Sequence, residues 1–173
     1  ISGENNEAIN EINTIIIGKE NTVDSSGNTS NKGNIVLGTY NTYYSKSEIQ
    51  NENNMLIGDD SYLVDSEYSI ILGCENNVSG KHNLIIGKNN LIGTGNQLTD
   101  QTTAPKASNN SYILGNTNNI EAHDDRSITN TYMFGNNHKY DATDDSFIDI
   151  SNSSTMMFGS YGRVNWASDL SNQ

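Results

Sequence analysis

Eight times along this chain a polar residue is followed by three apolar residues and a glycine. The first copy is Thr14-Ile15-Ile16-Ile17-Gly18 and the last is Thr155-Met156-Met157-Phe158-Gly159. The word continues beyond its glycine. Three residues on stands Asn21, Asn41, Ser61, Asn76, Asn90, Asn118, His138 or Gly162. Two further on is an apolar or aromatic residue: Val23, Tyr43, Leu63, Val78, Ile92, Ile120, Tyr140 or Val164. The word glycines are Gly18, Gly38, Gly58, Gly73, Gly87, Gly115, Gly135 and Gly159. The intervals between them are unequal, and the shortest, from Gly73 to Gly87, sets a unit of about 14 residues. The excess in the longer intervals belongs in loops on one side of a solenoid. Gly3, Asn6 and Ala8 have the spacing of a partial ninth unit.

Each unit reads as two short strands and two turns. Three consecutive β-branched or long apolar residues suit a strand, and the flanking Gly and Asn are turn formers. No window has the 3-and-4 apolar spacing of a helix. Hydrophobic residues make up 33% of the chain and Asn fills 29 of 173 positions. That composition approaches disorder, but the apolar residues are bunched into regular runs, which a thin repetitive core requires. Equivalent strands then pair in parallel one coil apart, at about 4.8 Å. Asn residues at equivalent corners can form side-chain ladders.

The strand in each word is apolar at all three positions, the mark of a strand covered on both faces. The first and third residues, such as Ile15 and Ile17, are expected to fill the coil. The middle residues, Ile16, Val36, Leu56, Ile71, Ile85, Ile113, Met133 and Met157, are then expected to point outward. A stripe of that length left in water would be a large apolar patch, and self-association is the economical cover. A coil this short also has little interior of its own.

Other classes find little support. The formal net charge is −12 with no Lys/Arg cluster, which speaks against a nucleic-acid face. Cys74 is the single cysteine, so no intrachain disulfide forms. It reads as a small hydrophobe. No run of residues has the length of an apolar membrane helix and no signal peptide opens the chain; targeting and anchoring parts are expected elsewhere. No nucleophile elbow, P-loop or zinc signature is present, so no catalytic residue, cofactor or metal site is assigned. His123-Asp124-Asp125 reads as a solvated turn and His138 as a corner residue. Asp59-Asp60 and Asp144-Asp145 lack the graded spacing of a calcium loop. The sequons at Asn28, Asn77, Asn109 and Asn152 are expected by chance in so Asn-rich a chain.

The recurring word, polar-apolar-apolar-apolar-Gly-x-x-Asn/Ser-x-apolar, resembles the head repeat of YadA-like trimeric autotransporter adhesins. The resemblance covers residues 9 to 164 or so. It implies a left-handed parallel β-roll, three chains side by side in a homotrimer, with residues 1–173 as one repetitive head domain. It also implies exposure at the bacterial cell surface, anchoring in the outer membrane by a separate C-terminal barrel, and attachment to host matrix or to a cell-surface receptor, including the CEACAM type. Two departures stand out. Heads of this family usually carry a small residue, often Ala, at the middle strand position, where this chain has Ile, Val, Leu or Met. The usual neck motif is not evident in Arg163-Val164-Asn165-Trp166.

Repeats build a scaffold, so insertions are the natural place for specificity. The longest spans about 94–109 and holds Thr94, Gln97, Asp100, Pro105 and Lys106 as candidate contacts. Others span Asp24–Lys32, Tyr44–Glu52, Glu121–Ile128 and Asp141–Ser153. Exposed tyrosine is a common interface anchor, which adds Tyr40, Tyr44 and Tyr62. Tyr43, Tyr112, Tyr132 and Tyr140 hold repeat positions instead. Phe147, Ile148 and Ile150 read as a degenerate extra strand. Two other functions fit less of the sequence. A structural spacer would need no long insertions. A hexapeptide-type β-helix acyltransferase needs a six-residue period, which appears once, near Ile86–Leu98.

Overall fold

The computed structural model describes residues 1–9, 11–24, 31–44, 52–93, 108–122, 128–142 and 155–165. Every regular element among them is a β-strand. Nine strands pair into one sheet: Ser2–Glu4, Ile15–Lys19, Ile35–Thr39, Met55–Asp59, Ile70–Cys74, Leu84–Lys88, Tyr112–Leu114, Thr131–Asn136 and Thr155–Ser160. Nine more pair into a second sheet: Glu7–Ile9, Thr22–Asp24, Thr42–Tyr44, Tyr62–Glu67, Asn77–Lys81, Leu91–Gly93, Asn119–Ala122, Lys139–Ala142 and Arg163–Asn165. The chain alternates between the two sheets, and neighbours within each are parallel. The described residues form a β-roll of nine coils, roughly 40 Å long at the usual strand spacing.

The register follows the repeat. Gly3, Gly18, Gly38, Gly58, Gly73 and Gly87 are successive partners. Gly3 pairing with Gly18 and Ala8 with Val23 make the partial ninth unit a real coil. Leu84–Lys88 pairs directly with Tyr112–Leu114, so the long interval from Gly87 to Gly115 is one coil carrying an insertion, not two coils. The coil from Gly58 to Gly73 is one residue longer than the next and holds the extra residue as a bulge. Val64 pairs with Ser79 and Ser66 with Gly80, leaving Asp65 between them at φ 46°. A short run of paired residues, such as Glu11–Ile12 with Asn31–Lys32 and Ser108–Asn109 with Ile128–Thr129, closes the coil before the next word.

The direction of the word strand is the reverse of the sequence expectation. Ile16, Val36, Leu56, Ile71, Ile85, Ile113, Met133 and Met157 point into the coil and are buried. The first and third residues face outward; Ile15 and Ile17 are 50% and 49% exposed. The second sheet supplies the reason. It offers one apolar residue per strand to the interior, Val23, Tyr43, Leu63, Val78, Ile92 and Ile120. A coil this thin holds one side chain from each sheet. Alternation then puts the residues on either side of the middle one outside. The departure from a small middle residue therefore fills the coil interior, not a space between chains.

The inward positions at the corners are polar. Asn21, Asn41, Asn76, Asn90 and Asn118 are buried. Asn21 Nδ2 donates to Asn6 Oδ1 at 2.9 Å and to the Gly38 carbonyl at 2.7 Å. Asn41 repeats this with Asn21 and Gly58, and Asn90 and Asn118 continue it. At the other corner the backbone N–H of Asn54 donates to Asn34 Oδ1 and that of Ser69 to Asn54 Oδ1. These amides satisfy corner groups that a dry interior would otherwise leave unpaired.

The largest buried side chain departs from this economy, as do the hydroxyls of Ser79 and Thr131. Tyr43 is fully buried between Val23 and Leu63, and its Oη finds no hydrogen-bond partner. Burial, then the charge of Glu11, pushes its ionisation well above the ordinary tyrosine range, so the phenol stays neutral. Tyr43→Phe removes an unsatisfied hydroxyl while keeping the ring. It is expected to raise stability by about 1 kcal/mol in chemical denaturation; a loss of stability would mean that the hydroxyl is bonded.

Candidate functional site

The outer face of the first sheet is built from the first and third residues of each word. All are apolar or aromatic, from Ile15 and Ile17 to Met156 and Phe158. In register they form two parallel columns along the rod. Ile70 and Ile86 are each 41% exposed, and exposure reaches 69% at Phe158 in the last coil. Character changes along the length: the early coils present Ile, Leu and Met, and the late coils present rings. Tyr112 stacks on Tyr132 at 5.1 Å and Phe134 on Phe158 at 5.0 Å. Stacking of this kind follows from parallel register, which sets identical positions one strand apart.

Polar residues flank both columns. On one side Lys19 pairs with Glu4 and Lys88 with Glu75. On the other, Lys32 pairs with Glu52 and Lys81 with Glu67. The outer face of the second sheet is different. Its first strand position runs Glu7, Thr22, Thr42, Tyr62, Asn77, Leu91, Asn119, Lys139 and Arg163. The third position includes Asp24, whose carboxyl is held above its ordinary range by burial and then by Glu7. One sheet thus shows water a continuous apolar surface and the other a mixed polar one.

The sequence-predicted contact residues fall in different places. Tyr40 is 52% exposed at the corner leading from the first sheet to the second, at φ 55°. Tyr44 and Tyr62 lie on adjacent strands of the second sheet, with Tyr62 exposed and Tyr44 half-buried. Tyr40 is therefore not grouped with them. Thr94, Gln97, Asp100, Pro105 and Lys106 lie outside the described residues, as do His123-Asp124-Asp125, Asp144-Asp145 and Phe147, Ile148 and Ile150. Among the described residues no group of three or more His, Cys, Asp or Glu could hold a metal ion. Among the same residues no helix is long and apolar enough to cross a membrane.

No protein-family model and no curated protein matches the chain. The functional reading therefore rests on the faces themselves. The residues that sequence reasoning misplaced are the first and third of each word. A signal for them was present: second strands such as Thr22-Val23-Asp24 and Asn77-Val78-Ser79 place one apolar residue between polar ones, so the interior has room for one side chain from such a strand.

The insertions share a feature of connectivity. The first corner keeps a constant three residues from word glycine to Asn, so every variable segment falls between a strand of the second sheet and the next word. At the longest, Gly93 is in register one coil ahead of Glu121 and Leu91 pairs with Asn77. Ser108–Asn109 resumes the stack, with Asn109 Oδ1 accepting from the Lys81 N–H at 2.8 Å. Deleting residues 94–107 brings the interval between Gly87 and Gly115 to the same length as that between Gly73 and Gly87, the coil before it. The shortened chain is expected to melt cooperatively, within about 1 kcal/mol of the parent. A split or lost transition would make the segment part of the scaffold.

Proposed function

We propose that this chain is the binding head of a bacterial surface adhesin of the YadA-like type, displayed at the outer membrane as a homotrimer. The observation that carries the reading is the apolar outer face of the first sheet. A continuous exposed patch of this length, rimmed by polar residues, is the usual mark of an interaction surface. Two further copies of the same chain cover it by presenting the same face, so that three rods bury their apolar columns along a common axis. The left-handed sense of the coil, the anchoring barrel and the host partner belong to the resemblance. The parallel two-sheet roll and its short coil are consistent with it. In this reading the insertions, which all leave from one corner, are the segments that meet host matrix proteins or a cell-surface receptor. The roll catalyses nothing, and its two main faces differ from the three equal sides of a hexapeptide coil.

The test is solution mass by light scattering over a range of concentrations. A mass three times that of the single chain supports the trimer, and the trimer is then assayed on immobilised matrix proteins with and without residues 94–107. A monomer at every concentration, also when fused to a trimerising helix, would remove the basis of the proposal.

A further inference from the structure

The outer face of the first sheet carries a third column beside the two apolar ones. Ile16 fills the coil, so Ile15, Ile17 and Lys19 of the same strand all face outward. In register, the residues after the word glycines make this column polar: Lys19, Thr39, Asp59, Cys74 and Lys88. Asn116 and Asn136 continue it, since Asn116 Oδ1 accepts from the Lys88 N–H and Asn136 Oδ1 from the Asn116 N–H, both at 2.9 Å. Corner residues at positive φ bound each strand, such as Asn13 and Glu20 or Asn110 and Thr117. The face therefore has a leading edge, the column of Ile15, a trailing edge, the column of Lys19, and a middle, the column of Ile17.

The two edges are matched in kind. Tyr112 and Tyr132 stand on the leading edge, and theirs are the described coils that carry Asn on the trailing edge, Asn116 and Asn136. Leading and trailing residues of one strand are about 13 Å apart, with Leu114 or Phe134 between them. The Asn116 amide bonds along its own column, to Asn136 Oδ1 at 3.2 Å, and not to the Tyr of its own strand. A covered tyrosine needs a partner for its hydroxyl. Amides that suit it stand at the right height, on the far edge of the same chain.

We propose that three copies of this chain close with the middle column on their common axis and the leading edge of each against the trailing edge of the next, coil for coil. This seam rests on the trimer reading above and specifies its contacts. Word strands run across the rod, perpendicular to the direction in which coils stack, and rotation about an axis parallel to the rod preserves height. A leading residue therefore meets the partner's trailing residue of the same coil. The Tyr112 hydroxyl meets the partner's Asn116, and the Tyr132 hydroxyl the partner's Asn136. Leu84 lies on the aliphatic stem of the partner's Lys88, and Ile70 meets the partner's Cys74. Beyond the seam each chain neutralises its own carboxylates, Glu52 by Lys32, Glu67 by Lys81 and Glu75 by Lys88.

The experiment uses Cys74 as a reporter in the full chain. Ile70 stands on the leading edge of the same strand and is 41% exposed, so its replacement leaves the coil interior intact. Under mild oxidation Ile70→Cys is expected to run as a covalent trimer on a denaturing gel without reductant, each chain bonded to the next. Within one chain the two positions are too far apart to bridge. Met55→Cys and Leu84→Cys, one coil to either side, are expected to give no covalent trimer. If light scattering shows a trimer but one of these closes in place of Ile70→Cys, the coil-for-coil register is overturned. If it shows a trimer and no variant closes, the seam itself is overturned. A monomer by light scattering removes the trimer reading instead, and the seam with it. Tyr112→Phe and Asn116→Ala give an independent measurement. Their joint effect on the trimer dissociation constant is expected to differ from the product of the single effects about threefold or more; additive effects overturn the Tyr–Asn contact.

Discussion

Gly87→Ala is expected to destroy the cooperative unfolding of the roll. Gly87 sits at φ 145°, and a Cβ there would lie 1.8 Å from the Gly115 carbonyl oxygen of the next coil. That atom is backbone and is held in place: the Gly115 N–H donates to the Ile86 carbonyl and the Gly115 oxygen accepts from Asn90 Nδ2. Relief requires the two coils to part by more than an ångström, which breaks the ladder between Leu84–Lys88 and Tyr112–Leu114. Left-handed strain adds to the clash. The loss is expected to exceed about 4 kcal/mol, read as an early or split transition in thermal circular dichroism. The roll contains its own control. Gly159 is also at positive φ, 98°, but a Cβ there would meet nothing within 4 Å among the described residues. Gly159→Ala is expected to cost about 1–2 kcal/mol, the conformational part alone. Equal effects at the two positions would show that strain, not the close approach of coils, decides the glycine.

Ile71→Asp and Ile86→Asp are expected to fail in different ways. Ile71 is fully buried inside the coil, where a carboxylate would have no partner. The cost is expected to be about 4 kcal/mol or more, and the chain should lack β-sheet dichroism altogether. Ile86 is 41% exposed on the outer face of the first sheet. An Asp there faces water in the single chain, so the roll keeps its fold. In the proposed trimer the same Asp meets two others near the axis, and the mass is expected to fall from that of three chains to that of one. A folded Ile71→Asp would contradict the packing of the coil. A trimer that survives Ile86→Asp would move the interface away from the first sheet.

The word strand shows where sequence reading stopped. Its three apolar residues admit two parities, and apolar content alone favours two residues in and one out. Geometry selects the opposite. Asn34, Val36 and Gly38 share a parity, and the structure buries Asn34 and Val36 while bringing Gly38 against the Gly58 carbonyl. A polar residue ordinarily marks the surface, yet the corner Asn residues are among the most buried in the chain. Their amides are satisfied one coil away, by partners far off in sequence such as Asn76 for Asn90 and Asn90 for Asn118, which no local rule scores.

The candidate face was legible as an apolar excess and not as a location. Three apolar residues in a row require some apolar column to face outward; the middle residues are the natural choice only while the width of the coil is unknown. That His138 replaces an Asn was legible; that its Nδ1 lies 2.6 Å from where a Cβ on residue 162 would stand, so that a glycine fits there, was not.

By itself the sequence determined the word strands, their parallel stacking and the corner from which the insertions leave, since these follow from a short period repeated many times; the ninth coil and the single coil between Gly87 and Gly115 came from the strand pairing. Only the tertiary structure decided which side of each strand faces the core. That choice depends on how many side chains fit between two sheets, and a thin roll admits one from each.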